Sequence, residues 1–112
     1  MKTKFIVNPI SGTNKQKNIG NILKKYLDTK RFRYDITYTE RQLHAKEITK
    51  KAVEDKYKLI ICVGGDGTLN EITSVLIGTN VAVGVIPAGS GNGFALHNGV
   101  KRNIKLAIKQ LN

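Results

Sequence analysis

The sequence predicts an α/β chain in which a doubly wound, mainly parallel sheet lies between two layers of helices, a three-layer α/β/α domain. Two observations predict it. Short apolar runs alternate with stripes of helical period along the whole chain, and a glycine cluster follows two of those runs, at once after Val63 and after Pro87-Ala88 in the other. A length of 112 residues suits one domain spanning 1–112 with one core. The 40% hydrophobic and 24% charged content is that of a globular chain, which argues against wholesale disorder.

Lys4-Phe5-Ile6-Val7 reads as the first strand, ended by Asn8-Pro9 because proline cannot donate to a ladder and restricts the residue before it. Beyond Asn14, the residues Ile19, Ile22, Leu23, Tyr26 and Leu27 form one amphipathic stripe, the first helix. Tyr34 to Thr39 alternates β-branched or aromatic residues with polar ones and reads as the second strand. Ala45, Ile48, Thr49, Ala52 and Val53 then give the second helical stripe. Leu59 to Val63 is unbroken and β-branched-rich, as a central parallel strand buried on both faces would be. Leu69, Ile72, Thr73, Leu76 and Ile77 make a third helix with Gly78 as its C-cap, and Val81 to Ile86 supplies a fourth strand. Ile104, Ala107, Ile108 and Leu111 mark a last helix capped by Asn103.

A net charge of +11 points to acidic partners: nucleotide phosphates, an anionic membrane surface or nucleic acid. The lysines are spread over several segments, as on solvated helix faces, and nothing but charge supports nucleic acid. No apolar run approaches the roughly 20 residues a bilayer-spanning helix needs, and Met1-Lys2-Thr3-Lys4 opens no secretory leader, so a cytoplasmic location is expected. The lone Cys62, inside an apolar run, reads as a small buried hydrophobe.

Open parallel sheets bind ligands beyond the carboxyl ends of their strands, where three loops fall: after Val7, after Val63 and after Ile86. In Gly64-Gly65-Asp66-Gly67-Thr68 the glycines are expected to reach positive φ and approach a bulky anion, while the next helix aims free N–H groups at it. Asp66 would hold Mg²⁺ through water or accept a proton from an attacking hydroxyl; both roles stay open. The plainer alternative is a tight turn with Asp66 as helix N-cap. Asn8, Pro9, Ser11 and Gly12 form the first loop, with Lys15 beyond it as a cation for phosphates. Gly89, Ser90, Gly91 and Asn92 offer bare backbone, a hydroxyl and an amide for ribose or phosphate oxygens. Neither the P-loop nor the dinucleotide glycine pattern is met.

Together the three loops resemble the amino-terminal, ATP-binding domain of the diacylglycerol kinase and sphingosine kinase family of lipid kinases, over nearly the whole chain. Asn8-Pro9-Ile10-Ser11-Gly12 is similar to that family's first nucleotide loop. Gly64-Gly65-Asp66-Gly67-Thr68-Leu69-Asn70-Glu71 resembles its signature, shared more loosely with NAD kinases and phosphofructokinases of Rossmann-like fold. Pro87 to Ala95 resembles the segment that separates lipid kinases from those relatives, although Gly93 stands where an Asp is frequent.

The resemblance implies ATP and Mg²⁺ as cofactors and transfer of the γ-phosphoryl group to a lipid hydroxyl. It makes Asp66 the catalytic residue and places Thr39 on the nucleotide. His44-Ala45 resembles the family's His-Ala pair, with a helix-start residue satisfied by backbone as the plainer reading of His44. Asn70 and Glu71 lie at a helix start, where capping and substrate-side contacts are both open. The resemblance also implies a carboxy-terminal β-rich lipid-binding domain that these residues lack, so the isolated chain is expected to be inactive. A peripheral site at the cytoplasmic face of a membrane follows. The alternatives are a NAD-kinase-like phosphotransferase and a non-catalytic module binding nucleotide or a membrane surface.

Overall fold

In a computed structural model, residues 1–9, 19–87 and 111 are described. Four strands and three helices alternate: β1 (Lys2–Val7), α1 (Ile19–Tyr26), β2 (Arg33–Tyr38), α2 (His44–Glu54), β3 (Leu59–Gly64), α3 (Asp66–Leu76) and β4 (Ala82–Pro87). All strand pairs are parallel, in the order β2-β1-β3-β4. The predicted α/β class, doubly wound sheet and element order are those observed. The predicted last helix lies outside the described residues except for Leu111, which packs against the core.

Parallel neighbours put side chains level across the sheet, so the register separates two cores. Phe5, Val7, Ile61 and Val63 face α1, where Ile19 and Leu23 meet them. Ile6, Ile60 and Cys62 face α2 and α3, where Ala45, Ala52, Ile72 and Leu76 cover them. The two middle strands are therefore buried on both faces, and the unbroken apolar run of β3 is the sequence of such a strand. Truncating a side chain here, such as Ile61→Ala, would cost about 2–5 kcal/mol, because the close-packed surroundings relax only partly around the cavity.

Element ends moved by a residue or two from the sequence reading, each for a visible reason. β1 begins at Lys2 because Lys2 and Thr3 pair with Arg33 and Tyr34. The Lys2 ammonium lies 4.5 Å from the Tyr57 ring centroid. β3 runs on to Gly64, which pairs with Pro87 at the end of β4. β4 stands at the margin of this sheet, where a proline without an N–H is tolerated. Gly78 does follow the third helix in the left-handed region, φ 83°, and the Thr79 N–H donates to the Leu76 carbonyl at 2.9 Å. Among the described residues no helix is long and apolar enough to cross a membrane.

Cys62 is fully buried, as a small hydrophobe would be, and burial pushes its thiol up to about 12. Two outcomes follow. A thiol reagent should label the folded chain only at the rate of unfolding and label it at once in denaturant. The unfolded thiol ionises above about 9.0 while the folded one stays protonated, so this group lowers stability as pH rises from there toward about 12. Denaturant melts of the chain and of Cys62→Ala across that range should converge as pH rises; parallel curves would contradict the assignment.

Candidate nucleotide site

The strand order reverses between β1 and β3: the chain leaves β1 toward β2 on one side and returns through α2 to β3 on the other. Their following helices lie on opposite faces of the sheet, so the carboxyl ends of β1 and β3 form a topological switch point, where open parallel sheets commonly bind ligands. The Asn8 N–H donates to the Val63 carbonyl at 3.0 Å, and Asn8 Nδ2 donates to Thr68 Oγ1 at 3.3 Å. Those bonds join the first loop to the glycine signature. The Thr39 N–H donates to the Val7 carbonyl at 2.8 Å, which brings the end of β2 to the same edge. Pairing of Gly64 with Pro87 brings the end of β4 there too.

Each glycine of the signature has its own reason. A Cβ on Gly64 would stand 3.3 Å from Asn8 Cβ and 3.4 Å from Thr68 Oγ1, so this position must be bare for the two loops to meet. Gly65 and Gly67 have open space where a Cβ would be. The expectation of positive φ is not met: among the described glycines only Gly78 lies there, and Gly65 is extended at φ −101°, ψ −169°. The missing Cβ gives approach to the backbone without unusual dihedrals. Gly65 is also the N-cap, so Asp66 is the first residue of α3 and not its cap. The first N–H groups of α3 have no carbonyl one turn back, and the helix dipole adds partial positive charge where they point. Such a helix start, on exposed backbone, is chemically suited to an anion.

Asp66 is exposed and has no hydrogen bond or ion pair among the described residues. Thr68, by contrast, is buried against Asn8, and Asn70 is exposed on the outer side of the helix. Pro9 is half-buried just beyond Asn8. Ser11, Gly12, Lys15, Gly89, Ser90, Gly91 and Asn92 lie outside the described residues.

Glu71 has a different task from its neighbours. Its Oε2 accepts from the Leu43 N–H at 3.2 Å and its Oε1 from the Lys46 N–H at 3.3 Å. Both donors belong to the start of α2, whose N-cap, Leu43, offers no side-chain cap. Of the two roles the sequence left open, this is capping, but of another helix. Leu43 itself sits at φ 64°, a left-handed conformation that costs an L-residue about 1–2 kcal/mol. His44 Nδ1 accepts from the Glu40 N–H at 2.9 Å, the plainer reading of that histidine. The absence of Ser, Thr, Asp or Asn across Arg41-Gln42-Leu43 was the one sequence signal that α2 needed a cap from elsewhere.

Comparison with known proteins now has a site to refer to. Residues 2–112 match the model of the diacylglycerol kinase catalytic domain. The chain belongs to that family. It is 35% identical over 101 residues to sphingosine kinase 1 of Arabidopsis thaliana, covering 83% of this chain and 21% of the relative. With sphingoid long chain base kinase 5 of Saccharomyces cerevisiae it shares 33% identity over 100 residues, 81% of this chain and 15% of that one. A crystal structure of a diacylglycerol kinase from Bacillus anthracis superposes with a TM-score of 0.73 at 31% identity, covering 98% of this chain and 41% of that one. The chain thus spans well under half the length of these lipid-kinase relatives.

In this family member the glycines divide into testable classes. Gly67→Ala places a better helix former in the first turn of α3 without a clash, so it should raise stability, by up to about 1 kcal/mol. Its methyl group also enters the open space before the helix, so any phosphate held there should bind more weakly. Gly64→Ala should instead lower stability by pressing Asn8 away from Thr68. Thermal melts of the two variants should therefore shift in opposite directions, and a stabilised Gly64→Ala would contradict the packing described.

Proposed function

We propose that this chain is the ATP-binding part of a lipid kinase, gripping the phosphates of ATP at the carboxyl edge of the sheet. The observation that carries the reading is the junction of two loops, Asn8 with Thr68, in front of the uncovered first turn of α3. Backbone N–H groups of Gly65 to Thr68 would bind phosphate oxygens, with Asn8 and Thr39 on the rim and Ser11, Gly12, Lys15, Gly89, Ser90, Gly91 and Asn92 completing the pocket. Family membership supports ATP as the donor. The relatives named as sphingosine and diacylglycerol kinases support a lipid hydroxyl as acceptor, rather than the soluble nucleotide of a NAD-kinase-like enzyme.

In the transfer, the acceptor oxygen forms a bond to the γ-phosphorus, the bond from that phosphorus to the β,γ-bridging oxygen breaks, and ADP departs with the electron pair. The hydroxyl proton leaves to a base. Catalysis of this kind rests on positioning and charge stabilisation. Asp66 is the carboxylate of the signature, and it shares the terminus of α3 with the proposed phosphates. Two anions at one helix end repel each other unless a cation stands between them. An exposed carboxylate without a partner among the described residues fits Mg²⁺, which is commonly held by one or two carboxylates together with phosphates and water. Mg²⁺ bound there would neutralise charge on the phosphates. Asp66 would hold the ion, and the ion would supply charge stabilisation to the transferred phosphoryl group.

The lipid would be held by a carboxy-terminal β-rich domain beyond these residues, with the enzyme peripheral at the cytoplasmic face of a membrane. A specific alternative comes from the charge of +11: a module that binds anionic surfaces without nucleotide. Titration separates them. The chain should bind ATP in a Mg²⁺-dependent manner, and Asp66→Asn should abolish most of that dependence. In the enzyme carrying its lipid domain, Asp66→Asn should lower kcat by orders of magnitude. Binding to anionic vesicles without binding to ATP would favour the module, and near-normal turnover of the variant would sink the role of Asp66.

A further inference from the structure

We propose that Glu71 is a positioning residue of this site, a clamp that holds the strained turn at Leu43 and so fixes the rim formed by residues 39–43 against the glycine signature. The inference rests on the nucleotide reading given above and adds a task to one residue of the signature. Three observations carry it.

First, the carboxylate is spent on backbone. Both oxygens accept from the start of α2, and Glu71 is half-buried between the two helices. Second, that start is unfavourable by itself. Leu43 occupies φ 64° with its side chain 61% exposed, so neither its conformation nor its packing recommends a leucine there. A non-glycine residue persists in that region only where its surroundings over-determine it. The bond to its N–H is such a constraint. Third, the turn is tied at its other end to the site. The Thr39 N–H is bound to the Val7 carbonyl, and the Glu40 N–H to His44 Nδ1. The segment from Thr39 to His44 is thus pinned to β1 behind and to α3 in front, and Glu71 is the front pin.

The geometry gives Glu71 a lever on the site. It lies five positions after Asp66 on the same rigid helix, so the distance from the phosphate cradle to the turn at Leu43 is set through one element. Without the carboxylate, two N–H groups at the start of α2 lose their acceptor and Leu43 is free to relax to negative φ. Relaxation swings the rim that begins at Thr39.

The experiment uses Glu71→Ala, Glu71→Gln and the double variant Glu71→Ala/Leu43→Asn, since asparagine tolerates the left-handed region. Amide exchange by NMR and calorimetric titration with ATP and Mg²⁺ are read well below the melting temperature. Glu71→Ala should deprotect the Leu43 and Lys46 amides and weaken ATP binding by roughly fivefold, the size of a lost helix cap expressed in binding. Glu71→Gln, which keeps one acceptor oxygen, should lose less. Leu43→Asn should recover most of the affinity in the alanine background by holding the turn through its own preference.

A direct contact between Glu71 and nucleotide or metal would predict a loss that Leu43→Asn does not recover, and that result would overturn the proposal. So would unchanged affinity in Glu71→Ala. Failure of the unmodified chain to bind ATP would overturn the nucleotide reading itself, and the positioning role with it. In that case protected amides that are lost in Glu71→Ala would identify Glu71 as a plain helix cap.

Discussion

The rest of the molecule depends on the parallel pairing of β1 with β3. Phe5, Ile6 and Val7 lie level with Ile61, Cys62 and Val63, and every one of these side chains is buried. Two adjacent strands that are apolar on both faces must be covered twice, which places α1 on one side and α2 with α3 on the other. Parallel direction then brings the carboxyl ends of both strands to the same edge, with their following helices on opposite faces. That shared edge is a consequence of burying the middle of the sheet. Position of the site and stability of the fold therefore have one cause.

Within that frame a small number of polar bonds sets the fine geometry. At the carboxyl edge, Asn8 reaches Thr68 and Glu71 reaches the start of α2. On the β2 flank, the Lys4 ammonium pairs with Asp35 at 2.8 Å, and the Tyr57 hydroxyl donates to the same carboxylate at 3.0 Å. Burial and then this carboxylate push the Tyr57 hydroxyl above its ordinary value, which keeps it a donor at any pH near neutral. This second cluster staples the marginal strand β2 to β1 and to the segment before β3. A groove of about 290 Å³ lies beside it, yet its cations are paired: Lys4 with Asp35, Arg41 with Glu47, Lys51 with Asp55. The two polar clusters share a chemistry but not a task. One fixes a sheet margin, and the other leaves a carboxylate, Asp66, unspent.

Strands and helices were legible in the sequence because their burial writes a period into it. The stripe of Ile19, Leu23 and Leu27 and the unbroken run of β3 needed no tertiary knowledge. The shared edge of the strand ends was legible too, since a parallel alternation of elements puts their carboxyl ends on one side. What the sequence hid was conformation at single residues. Leu43 carries no sign of a left-handed turn, because the force that holds it comes from Glu71, 28 positions away. The signature glycines misled in the opposite way: freedom of φ suggested positive angles, whereas bare space between Asn8 and Thr68 is what Gly64 supplies. Long-range contacts of this kind have no period and no local preference to betray them.

The unequal use of the two acids in the signature helix bears on how such a site works. Glu71 and Asp66 stand on the same helix, but among the described residues one is bonded through both oxygens and the other through neither. A carboxylate near a helix N-terminus is favoured by the dipole, so an exposed one there is stable without a partner. Had Glu71 also been free, the edge would hold two mobile anions and would oppose an incoming polyphosphate. Binding Glu71 to backbone N–H groups disperses its charge into α2 and leaves Asp66 as the acid of the two without a partner among the described residues. The same bond stiffens the rim, so lowering repulsion and fixing geometry are achieved by one side chain.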